Sequence, residues 1–191
     1  MLSGIALLIV GGFLSYSIGN GLYQTRVTQI LAESERGVVE VQNTFAASTV
    51  TDEIALQTLL NSVVPALESS GSSDSRKIAL LRTPGQLGAQ ILQSPISADL
   101  DTAVIPLDLK IQVREASGRL TYQSVALNQA NGTVHPGIVV GSPIEIPLAG
   151  KYELYLVFDL NGEQQTLDFV QSVLFWGMLI LLGLIGAVSY F

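Results

Sequence analysis

Residues 1–25 and 169–191 contain no Asp, Glu, Lys or Arg, so all 9 Lys+Arg and all 16 Asp+Glu fall within residues 26–168. Each uncharged end is apolar over roughly 20 residues, the length that crosses a ~30 Å hydrocarbon core as a helix. The charge map therefore predicts a membrane helix over 1–24, an extracytoplasmic domain over 25–168 and a second membrane helix over 169–191. Trp176 lies inside the second run and Tyr190-Phe191 near its end, where aromatics favour the membrane interface. Two other readings compete. Each run is also a candidate buried core helix, and the first is a candidate secretory signal. No Lys or Arg precedes that first run, and Ser15-Tyr16-Ser17 is a poor cleavage site, which favours a retained helix. The second run is still open at Phe191, so a longer protein with a cytoplasmic continuation is expected. The chain is then a two-pass protein of the plasma membrane.

The middle segment leaves about 140 residues, enough for one domain with its own core. A net charge of −7 argues against nucleic acid and against docking on an anionic membrane surface. Zero cysteines exclude disulfides and cysteine-based metal sites.

Small residues recur at four-residue steps in both ends. Gly11, Ser15 and Gly19 share one face of the first helix, and Gly183 and Ala187 one face of the second. Such faces let membrane helices approach closely, although glycine is also simply common there. From residue 25 to 47 the chain has no proline and suits a helix. Val27, Leu31, Ser34, Val38, Val41 and Phe45 follow alternating steps of four and three, a coiled-coil-like seam. It predicts a stalk that pairs with a second copy through Val27, Leu31, Val38, Val41 and Phe45, or a helix packed on its own domain. A second helix is expected over 51–68, capped by Thr51, with Leu56, Leu59, Leu60, Val63, Val64 and Leu67 as its apolar stripe.

Strand signals fill residues 77–159. Lys77–Arg82 and Ala89–Gln93 flank Pro84-Gly85 as a candidate hairpin. Residues 99–116 read as loop and helix. Leu120–Leu127, Gly137–Ile146 and Tyr152–Phe158 read as three further strands, with Asn131-Gly132 as a turn and Pro143 as the mark of a bulge or an edge. A helix follows from Glu163. This order predicts an α+β, PAS-like or Cache-like sensor domain with an antiparallel sheet and a long N-terminal helix, flanked by two membrane helices.

No catalytic constellation is visible, and no cofactor or metal residue is assigned. The only histidine, His135, stands before Pro136 without an evident partner and is read as structural. Asp99-Leu100-Asp101 has too few ligands for a calcium loop. Asn131-Gly132-Thr133 matches a glycosylation sequon but reads as turn chemistry.

Four long segments resemble the actinobacterial MtrB sensor histidine kinase family: Ser15–Ser48, Ser94–Pro106, His135–Gly150 and Tyr152–Gln171. The resemblance implies the sensor region of a two-component kinase that responds to osmotic or cell-envelope state. It further implies a homodimer, an LpqB-type envelope lipoprotein on the sensor domain, an MtrA-type response regulator, and ATP bound by a kinase domain outside this chain. His135 does not match the phosphoacceptor. The residues alone leave other two-pass receptors open, a chemoreceptor or a cyclase, and also a docking module that does not signal.

Overall fold

The computed structural model describes the chain except for residues 1, 71–75, 87–91, 129–131 and 191; the side chains of residues 2–11, 14–16, 163, 168, 182, 185 and 188–190 also lie outside the description. Four helices and four strands follow in the order α1 (Leu2–Ala46), α2 (Glu53–Ser70), β1 (Arg76–Arg82), a 3-10 turn (Thr102–Val104), α3 (Leu107–Glu115), β2 (Thr121–Asn128), β3 (Val134–Ile146), β4 (Gly150–Asp159) and α4 (Asn161–Tyr190). They divide into two units, one of residues 1–28 and 161–191 and one of residues 29–160.

The second unit is an α+β domain built on one antiparallel sheet of order β1-β4-β3-β2. β2, β3 and β4 form the expected meander, and β1 joins it on the far side of β4. The hairpin expected from Lys77–Arg82 and Ala89–Gln93 has its first arm in β1, and most of its second arm, residues 89–91, lies outside the described residues. Beside β1 a single bridge joins Ala79 to Ile96.

The pairing sorts side chains to two faces, because neighbours along a strand alternate. Ile78, Leu80, Leu154, Leu156, Phe158, Ile138 and Val140 share one face and are all buried. The helices α1 and α2 cover that face. Glu33 of α1 reaches Arg76, which stands on the same face of β1. Gly37 of α1 lies beside Leu67 of α2. Ala79, Val139, Tyr155 and Val157 point to the other face, where Ile105, Leu109 and Val113 of α3 and its approach close over them. β4 is therefore buried from both sides, which explains its near-continuous apolar run YLVF.

One detail departs from the sequence expectation and a second narrows it. The cap of α2 is Asp52 rather than Thr51, since Asp52 Oδ2 accepts from the N–H of Ala55 at 3.3 Å. A carboxylate there also faces the positive end of the helix dipole. Pro143 marks no bulge but a local edge of the sheet. It pairs with Glu153 inside the ladder of β3 and β4, while β2 ends opposite Gly141. The side of β3 where Pro143 lacks an N–H thus has no neighbour left to serve.

Gly141 is the tightest point of the sheet. A methyl group there would meet the Val113 side chain and, at 2.9 Å, the Tyr155 ring. Glycine is what lets α3 sit directly on the sheet. Gly141→Ala should destabilise the domain by about 1–3 kcal/mol. Urea unfolding checks this; an unchanged midpoint would show that α3 does not rest on the sheet at this point.

Candidate functional site

The predicted packing residues separate once placed in the structure. Val27, Val41 and Phe45 are buried within the chain, and Leu31 and Val38 are half-buried. Ile30, Glu33, Ser34 and Gly37 join the same buried side of α1. The seam is thus enclosed within the chain at Val41 and Phe45, in keeping with the alternative of a helix packed on its own domain. Helical periodicity marks an apolar stripe without saying what covers it. Gly19 lies next to Leu167 of α4, 3.7 Å from where a methyl group would stand. No described atom crowds Gly183 and Ala187 is exposed, while the surroundings of Gly11 and the side chain of Ser15 lie outside the description.

Three polar clusters escape any reading of the sequence. The first joins helix to sheet. Arg76 Nη1 donates to Glu33 Oε1 at 2.9 Å, with side-chain exposures of 2% and 10%. Burial lowers the Arg76 pKa, and Glu33, then Glu40 and Glu68, oppose that shift. Arg76 Nε and Nη2 have no hydrogen-bond partner among the described residues. A cavity of about 210 Å³ lies here, lined by Glu33, Arg36, Glu40, Ser70 and Arg76.

The second cluster lies under α3. Glu153 of β4 is 2% exposed and accepts at both oxygens, from Arg114 Nε at 2.8 Å and from Tyr155 O–H at 2.7 Å. Burial, the hydrogen bond to Glu153 and its charge raise the Tyr155 pKa far above its ordinary value. The phenol is thus a fixed donor and Arg114 a clamp on the end of α3.

The third cluster lies at the opposite end of β4. His135 Nδ1 is 3.4 Å from Asp159 Oδ2, and its Nε2 is 3.2 Å from Thr133 Oγ1. The histidine expected to stand without partners therefore has two. Asp159 also lines a cavity of about 340 Å³ with Lys77, Asp99, Asp101 and Asn128, floored by Leu100, Val104, Leu127 and Val157. Lys77 Nζ donates to Ala98 O at 3.2 Å, and Asp99 holds a positive φ of 63°. The cavity offers carboxylates to a cationic or hydrogen-bonding group. No cluster of three metal-ligating side chains occurs among the described residues.

Comparison with known proteins adds the wider context. No family model matches the chain. The sensor histidine kinase MtrB of Mycolicibacterium paratuberculosis is 24% identical over 191 residues, covering 98% of this chain and 32% of that protein. MtrB of Mycobacterium bovis and of Mycobacterium tuberculosis are each 25% identical over 196 residues, with the same shares covered. The chain is similar to MtrB sensor histidine kinases along almost its whole length. It spans about a third of the length of these curated relatives. Among solved structures, an RNA-binding light-oxygen-voltage receptor aligns with a TM-score of 0.35 and 12% identity over 60% of this chain and 34% of that one. The ligand-binding domain of the Pseudomonas aeruginosa PAO1 amino acid chemoreceptor PctC, in complex with GABA, aligns with a TM-score of 0.37 and 15% identity over 86% and 66%. At these TM-scores neither likeness bears on the fold.

The buried pair of α1 and β1 yields a direct test. Glu33→Gln leaves Arg76 buried beside a neutral group, which should cost about 3–5 kcal/mol. Replacing both, Glu33→Leu with Arg76→Met, should recover most of that loss, since a well-packed apolar pair needs no partner. Urea unfolding of the single and double variants measures the coupling. Losses that simply add would mean that the two charges do not depend on each other.

Proposed function

We propose that this chain is the sensor region of a two-component histidine kinase, anchored in the plasma membrane by both ends. The observation that carries this reading is the similarity to MtrB, which runs over 98% of the chain yet covers only 32% of the kinase. The domain of residues 29–160 then serves as a PAS-like or Cache-like input module. It relays osmotic or cell-envelope state to a cytoplasmic kinase module, which binds ATP and passes phosphate to an MtrA-type response regulator. An LpqB-type lipoprotein fits the role of envelope partner. This fragment carries no kinase chemistry of its own.

Among the described residues no helix is long and apolar enough to cross a membrane. The proposed spans, 1–24 and 169–191, run through many residues outside the description. Their support comes from the uncharged ends and from the exposed residues of α4. Phe169, Phe175, Trp176, Ile180 and Leu184 are all open to the surroundings. Large apolar side chains exposed in such number along one helix call for lipid or a protein cover.

The dimer is proposed to form along the outer face of α1. Ala32, Val39 and Ala46 recur there at every seventh residue, and all three are exposed. Because the chain lacks cysteine, single cysteines report without background. A cysteine at Asp52 should react with a membrane-impermeant maleimide in intact cells, and Val39→Cys should form a disulfide dimer where Val41→Cys does not. Protection of position 52 until lysis would overturn the topology, and equal cross-linking at both valines would overturn the outer-face seam.

Signal passage is proposed to run through the end of the sheet. Only Leu160 separates β4 from α4, and its N–H donates to Pro136 O at 2.9 Å. Four alanines inserted after Asp168 rotate the remainder of α4 by about 40° and shift it by roughly 6 Å. The full-length kinase should then lose its normal response to osmotic upshift, read as autophosphorylation in membranes. An unaltered response would rule out relay through α4.

A further inference from the structure

The sheet has two edges, and the fold treats them differently. Along β1 the segment 94–97 lies close. Leu80 N–H donates to Pro95 O at 3.0 Å and Ser97 N–H to Ile78 O at 2.8 Å. The hydroxyls of Ser97 and Ser94 accept from the N–H groups of Ile78 and Arg82 at 2.7 and 3.2 Å. That edge is occupied. On the outer side of β2 no further strand pairs among the described residues. β2 reads TYQSVALN and pairs with β3 residue for residue. It has no proline, no charge and no bulge, the devices by which sheets blunt a bare edge.

A groove of about 440 Å³ runs beside that edge. Ser124, Val125 and Ala126 of β2 form one wall, and Asp101, Val104 and Pro106 the other. Consecutive strand residues line it, so both the strand's faces and its backbone are within reach. The groove shares Asp101, Val104 and Asn128 with the cavity over the sheet, which adds Asp99. Asp101 Oδ1 accepts from Ala103 N–H at 2.9 Å, which orients the carboxylate. Lys77, the cation of the adjoining cavity, already donates to Ala98 O.

We propose that the open edge of β2 is a docking site for an extended segment of a protein partner, which adds as a fifth strand and presents a lysine or arginine to Asp101 and Asp99. Backbone groups of alternate β2 residues supply the main hydrogen bonds, and the groove reads alternate side chains. A small aliphatic side chain fits between Val104, Pro106 and Val125. The acidic wall selects a basic segment over an acidic one. The site itself goes beyond the sensor reading, and only its consequence for signalling rests on that reading.

The probe is a random decapeptide library selected on the full chain in nanodiscs. Enriched peptides should carry lysine or arginine, and their binding should slow amide hydrogen exchange at alternate residues of Thr121–Asn128. Asp101→Asn keeps the oxygen that accepts from Ala103 and should weaken binding about tenfold. Ala126→Pro should abolish it, and if that variant fails to fold, Asp101→Asn and the exchange pattern decide alone. The proposal is overturned by a library that yields no binder, by binders that leave β2 exchange unchanged, or by affinity that ignores Asp101. It is also overturned if β2 becomes protected in the peptide-free chain as its concentration rises, which would give the edge to a second copy. A peptide that docks on β2 without changing the output of the full-length kinase supports the site and sinks the signalling reading instead.

Discussion

The ion pair between Glu33 and Arg76 fixes how the long helix lies on the sheet. Arg76 opens β1 on the face that α1 covers, and its guanidinium is almost completely enclosed. Enclosure works against the charge, which is why burial lowers its pKa despite three nearby glutamates. An apolar pair of equal volume would hold the two elements at least as strongly. What the charged pair adds is position. An apolar stripe tolerates a helix that slides or rotates by part of a turn, whereas one carboxylate at 2.9 Å from one guanidinium nitrogen does not. Gln42 repeats the device further along α1. Its side-chain amide both donates to and accepts from the backbone of Glu145, at 3.0 and 3.1 Å.

The same arrangement recurs at two more places around the sheet. Gln57 of α2 brackets the backbone of Gln93, and Gln86 brackets that of Lys151. A glutamine amide carries one donor group and one acceptor, as a peptide does, so it pairs with a strand end as another strand would. These contacts account for backbone groups that sheet pairing leaves over. They also tie α1, α2 and the loop after β1 to fixed registers without enlarging the core.

The elements were legible in the sequence where a period was written into it. The apolar, strand-forming run Tyr152–Phe158 announced β4, the apolar stripe announced α2, and the asparagine-glycine and proline-glycine steps marked chain reversals. The partners of those elements were less so. Val41 and Phe45 recur like a coiled-coil seam, yet both are buried within the chain, and Val41 lies beside Val63, Ala66 and Leu67 of α2. The polar clusters were hidden for a related reason. Glu33 and Arg76 are 43 residues apart, Arg114 and Glu153 are 39, and His135 and Asp159 are 24. Each pair exists only once strand order and register are set, and nothing local to either residue announces the other. Pro143 left a bulge and an edge open in the same way, because the choice depends on where β2 ends.

A domain that answers to a stimulus needs two arrangements close in free energy, separated by contacts that a ligand or partner can favour differently. β4 is a poor candidate for the part that moves. It is enclosed on both faces, and Leu154, Tyr155 and Leu156 are without exposure, so any displacement opens voids in a close-packed interior. The contacts at its two ends are of another kind. Arg114 is one-third exposed where it grips Glu153, and His135 and Asp159 meet at 3.4 Å with a fifth of each side chain in solvent. Exchanging the His135–Asp159 contact for water costs little, because both groups are already partly hydrated, whereas Glu153 is enclosed and loses a partner it cannot replace with water if Arg114 lets go. The central strand is thus held firmly at its Glu153 end and loosely at its Asp159 end. The end of β4 that carries Asp159 is the end from which the chain enters α4.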